Sequence, residues 1–96
     1  METAHNKDVE NLCKAMLSLK TVDECYRFFK DALTVKEIAD IAQRLKAASL
    51  LEEGKSYLDV CLETGMSTAT ISRVSKALEH GAGGYKLVLA RAKEID

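Results

Sequence analysis

The sequence predicts an all-α chain of six helices, and three observations predict it. There is no proline, no stretch keeps a strict two-residue apolar alternation, and apolar residues recur instead at spacings of three and four. At 96 residues the chain is one domain's worth, and residues 1–96 are read as a single domain. A monomer of this length buries only about 60–70% of the surface its unfolded chain exposes, so association would help a small core.

The first helix, near 6–19, carries Val9, Leu12, Cys13, Met16 and Leu19 on one stripe. The second, near 22–32, carries Val22, Cys25, Tyr26 and Phe29, with Leu33 after it; Thr21-Val22-Asp23-Glu24 reads as a capping box at its start. Thr34-Val35-Lys36-Glu37 repeats that signature before a long helix near 35–53, striped by Ile38, Ile41, Ala42, Leu45 and Ala48. Gly54 stands where this helix can end. Ser56 opens a fourth helix near 57–63, with Asp59 in the reciprocal place, and Ser67 caps a fifth near 67–79. Gly81, Gly83 and Gly84 make a flexible joint before a sixth near 85–94. Three of the six are only two or three turns long, which excludes a bundle of equal rods, and there is no internal repeat.

Composition narrows the function classes. The chain is 47% apolar and 30% charged, as folded soluble chains are. No apolar run is long enough to span a bilayer, and the polar start METAHNKDVE lacks a signal-peptide pattern, so a cytoplasmic protein without a membrane partner is expected. With 14 basic and 15 acidic residues the net charge is −1, so any basic surface must be local. Cys13, Cys25 and Cys61 are odd in number and widely spaced, which excludes a disulfide scaffold and a CxxC zinc site; buried reduced thiols are expected. His5 and His80 are far apart. With no metal cluster, glycine-rich phosphate loop or nucleophile motif, no catalytic residue, metal or cofactor is expected, and the chain is not read as an enzyme.

The informative stretch runs from Tyr57 to Lys76. Two short helices joined by Thr64-Gly65-Met66 form a helix-turn-helix signature over about 57–79. In the twenty-residue pattern of such motifs, Cys61 and Gly65 fill the small fifth and glycine ninth places. Val60, Met66, Ile71 and Val74 fill apolar ones, and Thr64 is the weakest match. At about 100° per residue, Ile71, Val74 and Leu78 face inward. Ala69, Ser72, Arg73 and Lys76 face away, flanked by Thr68, Thr70 and Ser75. No acidic residue falls between Thr64 and Leu78, a window with two positive charges and six hydroxyls. Short hydroxyls permit close approach to bases and phosphates, the Ala69 and Thr methyls can touch thymine methyls, and Arg73 and Lys76 can anchor phosphates.

Four pieces resemble the Trp repressor family in order and spacing: Asp31-Ala32-Leu33-Thr34, Gln43-Arg44-Leu45, Leu50-Leu51-Glu52-Glu53-Gly54 and Ala69-Thr70-Ile71-Ser72-Arg73. The last is the most specific, and the match covers about residues 31–80, one residue shorter near Gly54–Lys55. The sequence is similar to the Trp-repressor-like branch of YerC/YecD type. The resemblance implies an interlocked homodimer, with helix 35–53 at its centre and a helix-turn-helix at each end. It implies DNA-reading or phosphate-touching places for Ser67, Thr68, Ala69, Thr70, Ser72 and Arg73, and a phosphate-side place for Tyr57. Cys61 takes another such place, where the family has a basic residue, and is not expected to serve. In the family's effector pocket tryptophan lies between two arginines under a threonine-bearing turn. Arg44, Arg73 and Thr34 match those positions, but Val74 replaces a glycine that lets the indole approach the backbone, and Ala77 replaces a serine that helps hold its amino group.

The expected function is therefore a homodimeric, sequence-specific DNA-binding transcriptional regulator, acting as a repressor on a palindromic operator in double-stranded DNA. Tryptophan is not expected as co-repressor, and another small-molecule effector stays open. The alternative is a helical protein-interaction module that keeps the helix-turn-helix as a scaffold.

Overall fold

Short polar side chains set the helix starts by taking up N–H groups that the first turn leaves unpaired. The computed structural model describes residues 6–93. Its six helices are α1 (Lys7–Leu17), α2 (Val22–Ala32), α3 (Val35–Glu52), α4 (Tyr57–Thr64), α5 (Thr68–His80) and α6 (Gly84–Ala92). The described residues contain no strand. His5 and Glu94 lie outside them.

At Thr34 the capping box closes in both directions: Glu37 N–H donates to the Thr34 hydroxyl (3.1 Å), and Thr34 N–H donates to the Glu37 carboxylate (2.9 Å). At Thr21 the reciprocal arm is displaced by one residue. Glu24 N–H donates to the Thr21 hydroxyl (3.0 Å), but the Glu24 carboxylate accepts from Lys20 N–H (2.8 Å). Ser56 accepts from Asp59 N–H (3.1 Å) and Ser67 from Thr70 N–H (3.2 Å). Asn6 also caps α1, accepting from Val9 N–H (2.9 Å).

The ends are equally local. α1 stops at Leu17, short of the expected 19, because Ser18 turns back: its hydroxyl and its N–H both donate to the Ala15 carbonyl (2.6 and 3.1 Å). α3 ends in a Schellman turn, with Gly54 N–H on Leu51 O (3.0 Å) and Lys55 N–H on Leu50 O (3.1 Å). At the glycines between α5 and α6, Gly81 N–H bonds the Ala77 carbonyl and Gly83 precedes α6. A Cβ on Gly81 would collide with that same carbonyl.

The chain divides into two compact units, residues 1–38 and 39–96. In the first, no described residue is buried, although α1 and α2 each carry an apolar stripe. The second holds the core: Ala47 and Ala48 from α3, Val60 from α4, Ile71 and Val74 from α5 and Leu89 from α6. Leu50, Leu51, Cys61, Met66 and Tyr85 pack against it.

The expected burial of all three cysteines is not met. Cys13 is exposed, and Cys25 and Cys61 are half-buried, all as free thiols. The physical reason is that nothing in the first unit covers the stripes bearing Cys13 and Cys25, while Cys61 sits at the edge of the α4 face that Val60 buries. Among the described residues no helix is long and apolar enough to cross a membrane.

Candidate nucleic-acid interface

α4 and α5 meet across the turn Gly65-Met66-Ser67, and one buried side chain from each locks them: Val60 and Ile71 are both fully buried. Gly65 takes the left-handed conformation (φ 75°) and donates its N–H to the Cys61 carbonyl at 2.8 Å. No atom lies within 4 Å of where its Cβ would be, so the backbone angle and not crowding requires glycine.

Thr64 proves to be the turn's polar staple. Its hydroxyl donates back to the Val60 carbonyl (2.6 Å) and accepts from Met66 N–H (3.1 Å). One side chain thus adds a second donor to a carbonyl within α4 and pairs the N–H of Met66 in the turn. An apolar residue would leave that N–H to find another partner.

On α5 the two faces separate as the spacing predicts. Ile71, Val74 and Leu78 are buried, while Thr68, Ala69, Ser72, Arg73 and Lys76 are exposed. Ser67 and Thr70 face each other at the helix start, their hydroxyl oxygens 3.0 Å apart, with Thr70 half-buried. Tyr57 stands at the start of α4, 43% exposed. Leu58 and Leu62 on the same helix are 66% and 75% exposed.

Local charge is positive despite the overall balance. From Thr64 to Lys93 the only acidic residue is Glu79, against Arg73, Lys76, Lys86, Arg91 and Lys93. The last three extend the basic segment through α6, beyond the window that the sequence pattern singles out. The scarcity of acids beyond Glu79, up to Lys93, was the signal that could have shown it.

The residues matched to an effector pocket fall in different surroundings. Thr34 belongs to the first unit, where its hydroxyl and N–H are both used by the α3 capping box. Arg44 is exposed on α3 and Ala77 exposed on α5, whereas Val74 is 3% exposed within the core cluster.

Comparison with known proteins agrees with this geometry. The model of the Trp repressor protein family matches residues 7–93. The uncharacterized protein YerC of Bacillus subtilis (strain 168) is 45% identical over 96 residues, which span all of this chain and 92% of that protein. Among solved structures, a TrpR-like protein from Eubacterium eligens superposes with a TM-score of 0.87 at 46% identity, over 92% of this chain and 91% of that one. A candidate Trp repressor from Staphylococcus aureus gives a TM-score of 0.89 at 39% identity, over 94% and 90%. A family match across nearly every described residue, joined to these near-full-length likenesses, is decisive: the chain belongs to the Trp repressor family.

Proposed function

We propose that the protein is a homodimeric, sequence-specific DNA-binding transcriptional regulator, a repressor that needs no tryptophan. The observation that carries the reading is the exposed, acid-free face of α5 — Thr68, Ala69, Ser72, Arg73 and Lys76 opposite buried Ile71, Val74 and Leu78 — on a member of this family. In a helix-turn-helix the second helix enters the major groove with its N-terminal residues against base edges. Thr68, Ala69 and Ser72 then lie nearest the bases. Ser67 and Thr70 fix the helix start beside the backbone. Arg73 and Lys76 meet phosphates, and Tyr57 reaches the backbone from α4.

Dimerisation is part of the proposal because the first unit has no interior of its own. Leu12, Met16, Leu17, Val22, Tyr26 and Val35 are 39–87% exposed, and such surface needs a cover. A two-fold dimer presents two α5 helices to half-sites one helical turn, about 34 Å, apart, so the operator is palindromic.

The test is selection of random duplexes by the purified protein, followed by binding at varied salt. Two phosphate-touching cations per subunit, four per dimer, give a log–log salt slope of about −3.6. A palindromic product with such a slope is expected. Leu58 and Leu62, exposed on α4, favour the second reading, a protein-interaction module. That reading gains if no duplex is selected and no salt-dependent binding is seen.

A further inference from the structure

We infer that the half-site facing α5 is read chiefly through a thymine methyl group, with Ala69 as the residue that touches it. The inference rests on the DNA-binding reading above and names which base feature that surface selects.

Helical residues turn by about 100° each, and Ile71, Val74 and Leu78 define the buried side of α5. The point opposite their mean direction is occupied, within the first two turns, by Ala69. The outermost part of the entering helix is therefore a single methyl group.

The neighbouring polar groups are few or engaged. Ser67 accepts from Thr70 N–H (3.2 Å), and its hydroxyl shares a hydrogen bond with the Thr70 hydroxyl (3.0 Å). One of their two O–H donors is thereby spent. Thr70 is also half-buried and lies about 100° around the helix from Ala69. Thr68 and Ser72 flank the methyl with one hydroxyl each. Between Gly65 and Ser72 there is no Asn, Gln, Asp, Glu, Lys or Arg. The side chains that read adenine, cytosine or guanine bidentately are thus absent from this end of the helix. The first cation, Arg73, comes a full turn after Ala69.

In the major groove only thymine presents an apolar group, its C5 methyl. A methyl at the outermost point, with small neighbours that let the backbone come close, fits that feature. It cannot by itself tell one polar edge from another.

The experiment replaces each thymine of the selected operator by uracil, one symmetric pair at a time, which removes the methyl and keeps every hydrogen-bonding edge. At one pair of positions affinity should fall about fourfold per half-site, the worth of one buried methyl group. For the dimer this is about fifteenfold. Ala69→Ser, which keeps a helix-compatible side chain, should weaken the thymine duplex and shrink the thymine-to-uracil ratio toward one at that pair alone. Thr68→Ser, which removes a methyl and keeps the hydroxyl, should leave the ratio there standing. Salt-dependent duplex binding with no thymine-to-uracil loss overturns this inference and leaves the DNA-binding reading in place, as does a loss that Ala69→Ser does not alter. Absence of duplex binding overturns both.

Discussion

In the proposed reading, independence from tryptophan turns on Val74. It is 3% exposed and packs within the cluster of Ile71, Val60 and Leu89. Its side chain occupies space that a glycine would leave open. Inserting a ligand ring against it means overpacking or repacking a tight apolar site, which typically costs about 1–3 kcal/mol. The absent hydroxyl at Ala77 removes a hydrogen bond worth about 1 kcal/mol. Together these weaken a tryptophan site by roughly one to three orders of magnitude. Operator titrations with and without millimolar tryptophan should therefore coincide. A tenfold tightening by tryptophan below about 0.1 mM, well under that loss, would overturn the proposed independence.

Thr64 and Lys76 give two further tests at the same scale. Thr64→Val keeps the shape but loses the hydroxyl that bonds Val60 O and Met66 N–H. Leaving the Met66 N–H of this half-buried turn unpaired should cost about 1–3 kcal/mol in denaturant unfolding. An unchanged midpoint would show that water replaces that bond at no cost. Lys76 is exposed on the outward face of α5. Lys76→Ala should weaken binding to every duplex alike and reduce the salt slope by about one unit per contacted phosphate. An unchanged slope removes Lys76 from the phosphate contacts.

At the scale of elements, the turn between α4 and α5 concentrates its requirement in one backbone angle. Gly65 has φ 75° with open space where a Cβ would sit. Gly65→Ala should therefore cost about 1–2 kcal/mol, the left-handed penalty of an L-residue, with no steric addition. Gly65→Asn should recover part of that loss, since asparagine tolerates the region better. Equal losses, read as equal shifts in urea midpoint, would mean that something other than the angle requires glycine.

Helix starts were legible because capping is local: a hydroxyl and a residue three places on suffice, as Thr34–Glu37 and Ser67–Thr70 show. The inward face of α5 was legible for a similar reason, three apolar residues at helical spacing. Thr64 was not, because a motif pattern asks for an apolar residue there and says nothing of a hydroxyl turning back to Val60. Nor was the Ser18 turn that shortens α1, where the side chain competes with the helix for its own carbonyl. The exposure of Cys13 and the incomplete burial of Cys25 were illegible for a different reason. Periodicity shows that a stripe is apolar but not whether the same chain covers it.

At the scale of the whole molecule, that uncovered surface is the strongest constraint. Described residues 6–38 bury nothing, while Leu17, Val22 and Val35 are each more than four-fifths exposed. α3 adds Ile41 and Leu45, 52% and 37% exposed, on the stripe that ends in buried Ala48. Lys14–Glu10 and Arg27–Asp23 are salt bridges within single helices and on exposed faces, where such pairs contribute about 0.3–0.5 kcal/mol each. They cannot hold α1 and α2 in place. A second copy bringing the same stripes offers a cover of matching chemistry, and a two-fold interface is self-complementary. Folding is then inseparable from association. The melting temperature should rise with protein concentration across the micromolar range, and sedimentation should show a dimer wherever circular dichroism shows full helix. Leu12→Glu or Met16→Glu, each placing a charge on the stripe of α1 away from the residues assigned to DNA, should lower the concentration-dependent midpoint and leave the N-cap and turn of α5 unaltered. A fully helical monomer at micromolar concentration, with a midpoint that does not move with concentration, would mean that the first unit finds its cover within one chain, and the dimer would have to be given up.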